Sequence, residues 1–242
     1  MCTVTFMPRR MGYCFGMNRD EKRTRQEGLP PVTRNIGGRG VIYPSEPSGG
    51  TWIALNDRGI SLALINWYSV EQRVNRDTLS RGEVIPSVST ATASSFVQAG
   101  LDDLPLDQIN PFRLISVFPS SQEVIEWRWD LKQLIRHDHQ WRLQQWVSSG
   151  FDEARALEVR GGAFQRAQRR RSARSLVWLR RLHRSHLPQE GPFSICMHRE
   201  DAVTVSYTEV SVSGSRARME HVSGAPCNSC EISHHSLQVS RA

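Results

Sequence analysis

Cysteine stands at position 2, directly after the initiator methionine. A methionine before so small a residue is normally cleaved, and the new terminus then carries a thiol and an α-amine on one residue. An α-amine titrates near about 7.7–8.0, so at neutral pH part of it is unprotonated and able to take the thiol proton. Cys2 can therefore serve as its own nucleophile–base pair, the pairing that covalent acyl transfer requires. Cys14, inside the apolar run Tyr13-Cys14-Phe15, reads instead as a core thiol.

Other clusters carry less chemistry. Cys227-Asn228-Ser229-Cys230 has ligand spacing, but its only partners in sequence are the adjacent His234-His235. A structural zinc site needs four well-spaced ligands, so neither metal nor cofactor is predicted. His137-Asp138-His139 reads as a solvated turn, and Trp127, Trp129, Trp141 and Trp146 as packing residues. Residues 164–186 hold eight arginines and no acid, interleaved with Leu176, Val177, Trp178, Leu179 and Leu182. One side of this segment should pack and the other should be solvated. Contact with an anionic partner or membrane surface is the second account. The segment holds all of the net charge of +7, since the other 23 basic residues balance 24 acidic ones. A specific nucleic-acid interface, which needs a broader basic face, therefore ranks last.

The elements that must position Cys2 read as an alternation of short strands and helices. Residues 2–6 and 12–18 are β-prone, as are 51–55 and 59–67, which flank the turn Asn56-Asp57-Arg58-Gly59. Residues 113–118 and 123–129 form a further strand pair, and 194–208 and 211–222 a last one. The Gly- and Pro-rich residues 28–50 read as a long loop, and residues from 224 as a loop-like tail. Residues 87–104 are helix-competent. A longer helix is predicted from about 151 to 184, capped by Ser149-Gly150 and interrupted near Gly161-Gly162. No linker divides the chain, so one α+β domain over residues 1–242 is predicted.

Composition agrees with a globule. The 242 residues, 38% hydrophobic and 23% charged, can bury a core without disulfide staples. No apolar run approaches the roughly 20 residues of a membrane span, and no secretory h-region precedes a cleavage site. Five cysteines at irregular spacing predict free thiols in a reducing, cytoplasmic setting.

The order Met1-Cys2-Thr3, Asn18-Arg19-Asp20-Glu21, Gly49-Gly50-Thr51-Trp52-Ile53-Ala54-Leu55, Arg58-Gly59, Ala63-Leu64-Ile65-Asn66-Trp67 and Ser80-Arg81-Gly82-Glu83 resembles the NRDE family of transport and Golgi organisation homologues. The match runs over residues 1 to about 85. That family is similar to the N-terminal-nucleophile hydrolases, which implies an αββα sandwich like that of penicillin V acylase and bile salt hydrolase. The resemblance implies Cys2 as the nucleophile, Asp20 as the carboxylate that holds its α-amine, and Asn66 as an oxyanion-hole donor. It also brings in Arg19, beside Asp20 but on the opposite strand face and so expected to shape a turn, and Arg199 as a late-strand arginine of the site. The sequence departs from the acylases in having Met17 where they carry an arginine, and Ser148-Ser149 where a second oxyanion asparagine is expected. The implied activity is hydrolysis of a small acylated amide, with no cofactor. The alternative is a non-catalytic carrier on the same fold, handling haem or lipid or serving secretory organisation, with a small-molecule ligand held beside Cys2.

Overall fold

In a computed structural model, residues 2–75, 78–229 and 231–240 are described. Met1 and Cys230, named above, lie outside them. The strands are β1 (Cys2–Arg9), β2 (Gly12–Lys22), β3 (Leu29–Ile36), β4 (Arg39–Ser45), β5 (Ile53–Asn56), β6 (Ser61–Asn66), β7 (Phe112–Phe118), β8 (Glu123–Trp129), β9 (Leu134–His139), β10 (Gln144–Ser148), β11 (Ala202–Ser213), β12 (Arg216–Ser223) and β13 (Ile232–Gln238). The helices are α1 (Val84–Val88), α2 (Ser94–Asp102), α3 (Glu153–Gln168) and α4 (Leu176–His183).

Two antiparallel sheets stack face to face, in the orders β10-β1-β2-β11-β12-β13 and β3-β4-β5-β6-β7-β8-β9. Alternation along β1 and β2 explains the layering. Val4, Phe6, Tyr13, Phe15 and Met17 point into the space between the sheets with Ile53, Leu55 and Ile65. Met7 and Cys14 face outward, under Phe164, Trp178, Leu179 and Leu182 of α3 and α4. On the far sheet Leu62, Leu64 and Leu114 meet Val84, Val97 and Leu101 of α1 and α2. The architecture is thus α+β, two antiparallel sheets sandwiched between helices. Among the described residues no helix is long and apolar enough to cross a membrane.

Several elements differ from the sequence reading. Residues 28–50 are largely the hairpin β3–β4 and not a loop. Gly37 and Gly38, at φ 56° and 80°, supply the two left-handed positions that a two-residue hairpin turn requires. The Pro30-Pro31 pair is accommodated because β3 is an edge strand. Residues 87–104 divide into two helices where the Asn56 amide donates to the carbonyls of Ser89 and Ala91, at 3.0 and 2.8 Å. His137 and its neighbours lie on β9, not in a turn, with His139 turned in toward Glu126.

The helix after β10 starts from Asp152, whose carboxylate caps the Arg155 N–H, rather than from Ser149-Gly150. It runs through Gly161-Gly162 and breaks at 169–175 instead, where Ser175 caps α4. A helical glycine costs only about 1 kcal/mol relative to alanine, less than the burial of Ala156, Ala163 and Phe164 returns. The arginines of 164–186 therefore occupy the end of α3, a turn and α4, not one helix. The final strand candidates begin late, at Ala202 and Arg216, and the tail contains β13, laddered on β12. Its exposed, polar composition hides that strand from any apolar-pattern reading.

Polar ties join the layers near the N-terminal end of β1. Asn18 donates to the carbonyls of His183 and Ile195, both at 2.9 Å, and meets His183 Nδ1 at 3.0 Å. The fully buried Glu126 of β8 accepts from Arg128 (2.9 Å) and Trp146 (3.3 Å) and pairs with Arg113 and His139. It thereby anchors β10 across the two sheets.

Burial without a carboxylate partner lowers His183 to about 3 and His221 to about 4. Each ring is neutral in the fold, whereas unfolding restores an ordinary value near 6.5. The unfolded chain then binds more protons below that pH. Their contribution is therefore fully present above about pH 6.5 and is lost as the pH falls toward their folded values. Denaturant titrations between pH 7 and 4 should show this decline, and His183→Gln should flatten its slope; an unchanged slope contradicts the assignment.

Candidate active site

Cys2 opens β1 between two neighbours, opposite Arg19 of β2 and Ser148 of β10. Its side chain is 7% exposed and joins the inter-sheet face at the rim of a cavity of about 320 Å³. Arg19, Asp20, Glu46, Trp52, Asn66 and Arg81 also line this cavity. Burial pushes the Cys2 thiol up; the charged chain terminus, the Asp20 main-chain hydrogen bond and the Arg19 guanidinium pull the other way. The Asp20 carboxylate adds to the rise. Such a thiol needs a base beside it to become a nucleophile.

The NRDE motif divides its work by strand alternation. Asn18 and Asp20 face the helical layer, and Arg19 faces the cleft on the Cys2 side. Asp20 accepts from Thr204 Oγ1 at 2.6 Å and pairs with Arg160 Nη2 at 3.1 Å, both charged side chains being fully buried. Arg160 also donates to Thr3 Oγ1 at 2.7 Å, so one guanidinium grips β1 and β2 together. A register shift in β11 between Thr204 and Ser206 lies at this point, keeping Thr204 opposite Asp20.

Arg19 does not shape a turn of its own strand. It pairs with Glu46 and Glu21 and stacks on Trp52, 4.2 Å from the ring centroid. Asn66 ends β6 of the opposite sheet, where its carbonyl accepts from Ser148 Oγ at 2.6 Å and its amide donates to Tyr68 at 2.8 Å. The ends of β1, β2 and β6 thus converge on one cavity, and Ser148 of β10 ties β1 to Asn66 beside it. Arg199 is not among its lining residues. That side chain pairs with Asp201 at 2.7 Å and covers the Phe151 ring at 4.4 Å, because residue 199 precedes β11 and points outward.

Two residues beside this cavity escaped the sequence reading. Arg160 was detectable, since it interrupts the small and apolar helix stripe Ala156, Ala163, Phe164 with a charge. Arg81, of the Ser80-Arg81-Gly82-Glu83 motif, is lowered by burial and makes no carboxylate pair among the described residues. Its loop is held against Gly49-Gly50-Thr51-Trp52 by the Thr51 N–H to Gly82 carbonyl bond of 3.0 Å. A Cβ on Gly82 would stand 2.9 Å from Gly50 Cα, so both glycines are needed for this crossing.

The arrangement is a thiol at a strand terminus, a buried Asp–Arg pair behind it and amide donors across a polar cavity. Solved structures with this fold include penicillin V acylase from Agrobacterium tumefaciens, at TM-score 0.59 and 14% identity, covering 92% of this chain and 83% of that one. A variant of conjugated bile acid hydrolase from Clostridium perfringens aligns at TM-score 0.61 and 8% identity, covering 100% and 98%. A second mutant of the same hydrolase aligns at 0.59 and 8%, covering 96% of each. The fold is therefore that of the N-terminal-nucleophile hydrolases. No curated protein matches the chain in sequence. The family model for transport and Golgi organisation 2 matches residues 1–134, more than half of the chain, and the chain belongs to that family.

Proposed function

We propose that the protein is a cysteine amidohydrolase acting on a small acylated amide. The observation that carries the reading is Cys2 itself, at a strand end facing a cavity, on a fold shared with an acylase and a bile acid hydrolase. Once Met1 is removed, the α-amine takes the thiol proton and Sγ attacks the amide carbonyl. The C–N bond breaks, the proton passes to the leaving amine, and a thioester remains. Water attacks the thioester, and the acid leaves as the thiol is restored.

Asp20, held by Arg160 and Thr204, places a negative charge that orients the ammonium. Asn66 supplies a hydrogen-bond donor to the oxyanion. The Arg81 guanidinium, half-buried at the cavity and without a carboxylate pair among the described residues, favours a substrate with an anionic group. We place this chemistry in the cytoplasm, in keeping with Cys2, Cys14, Cys196 and Cys227 standing outside any disulfide among the described residues. The exposed arginines 166, 169, 170, 171, 174, 181 and 184 offer a separate contact with anionic surfaces.

Intact mass is the first test. A purified chain lacking Met1 and singly labelled at residue 2 by a thiol electrophile supports the reading. A retained Met1 eliminates it and leaves a carrier on the same fold. For an amide that is turned over, Asn66→Ala should lower kcat by about 10²–10³-fold while Cys2 labelling persists, the usual effect of losing an oxyanion donor. An unchanged kcat would remove Asn66 from the oxyanion hole.

A further inference from the structure

Four side chains that the sequence does not group converge outside the Cys2 cavity. His186 follows α4, Cys196 and His198 lie in the segment before β11, and Cys227 lies in the turn between β12 and β13. One ligand atom from each lies within 4.8 Å of all the others. His198 Nε2 is 3.4 Å from Cys227 Sγ and 3.7 Å from Cys196 Sγ. Tetrahedral zinc, with Zn–S near 2.3 Å and Zn–N near 2.0–2.1 Å, sets its ligands roughly 3.3–3.8 Å apart. Both measured separations fall in that interval.

His186 adds an independent sign. Its Nδ1 faces the Glu190 carboxylate at 3.4 Å, while its Nε2 is buried and has no hydrogen-bond partner among the described residues. Metal-bound histidines show this pattern, with one nitrogen turned to an outer carboxylate and the other to the ion. The backbone prepares the remaining ligands. The Cys196 N–H donates to the Ser185 carbonyl at 3.0 Å and the His198 N–H to the Gly191 carbonyl at 3.2 Å. Two thiolates and two imidazoles in a closed, four-ligand set select zinc over magnesium or calcium, which prefer oxygen.

We propose that His186, Cys196, His198 and Cys227 form a structural zinc site that staples the α4–β11 connection to the β12–β13 turn. The set differs from the one the spacing suggested. Cys227 contributes, but its partners come from other segments, and His234 and His235 sit apart on β13. The staple also lies near the catalytic layer. The Met197 N–H, between two of the ligands, donates to Thr204 Oγ1 at 2.8 Å, and Thr204 donates to Asp20. The inference does not depend on the proposed reaction, because Cys2 is not a ligand.

The test is metal content of the full chain, purified under reducing conditions without a histidine tag. Elemental analysis should find about one zinc per chain, as a Cys₂His₂ site holds one ion. The Cys2→Ser variant should retain it, which separates this result from any failure of amidase activity. Cys227→Ser and His186→Ala should each lose most of it. Cobalt added to the chelator-treated wild-type chain should give thiolate charge-transfer and tetrahedral d–d absorption, and zinc restored to that chain should raise its thermal unfolding midpoint. Substoichiometric zinc together with a featureless cobalt spectrum overturns the proposal, as does a Cys196–Cys227 disulfide in place of metal. Full zinc retention in both ligand variants overturns this ligand set.

Discussion

Cys2→Ser is expected to reduce turnover of any amide substrate by at least about 10⁴-fold while leaving the fold intact, because removing the nucleophile leaves only binding and oxyanion stabilisation. Serine keeps the shape of the strand end, which is packed between Arg19 and Ser148. Its hydroxyl holds its proton far more tightly than a thiol, so the α-amine is a poor base for it. A short N-terminal extension that blocks Met1 removal should have an equally large effect with Cys2 unchanged, since the base is then no longer on the same residue. The measurement is kcat/KM on an acyl-amide panel, with circular dichroism to check the fold. Turnover by the extended chain near the processed rate would show that the α-amine is not the base. Turnover by Cys2→Ala, which has no nucleophilic atom, near the wild-type rate would show that residue 2 is not the nucleophile.

Arg160→Met is expected to destabilise the protein by about 3–5 kcal/mol, the usual effect of stranding one member of a buried ion pair. For a chain of this length that lowers the unfolding midpoint by roughly 6–20 °C. The reason is local. Arg160 and Asp20 have fully buried side chains 3.1 Å apart, and methionine fills much of the space while removing the guanidinium that faces the carboxylate. Asp20→Asn should be milder in the fold, since it keeps the bond from Thr204, but it should slow Cys2 labelling by removing the charge that orients the α-amine. The double variant separates the two roles. It should recover part of the lost stability, because neither charge is then stranded, and none of the lost labelling. Additive stability losses would show that the two side chains are not coupled.

The legible part of the candidate site was the identity of three residues that line one cavity, and the hidden part was its assembly. Cys2, Asp20 and Asn66 could be named from residue type and motif order because each sits in a conspicuous local pattern. Arg160 could not be paired with Asp20 because 140 positions separate them and nothing local records their contact. Arg199 shows the converse. It is an arginine near a strand, suitable by type, whose side chain turns to Asp201 and Phe151. The fold shows the same division. Apolar alternation marked the central strands β1, β2, β5 to β8 and β11, while β9 and β13, half exposed and polar, exist through their ladders with β8 and β12.

By itself the sequence determined the place of Cys2 at the head of the chain, the strand-rich α+β class and the order of the NRDE motif. Each of these depends on neighbours within a few residues, and covalent proximity is written in the chain. Only the tertiary structure decided which face Arg19 serves, which guanidinium meets Asp20, and which histidines stand beside Cys196 and Cys227. Those outcomes depend on sheet register and on the packing of helices over it, where one position along a strand moves a side chain to the opposite face.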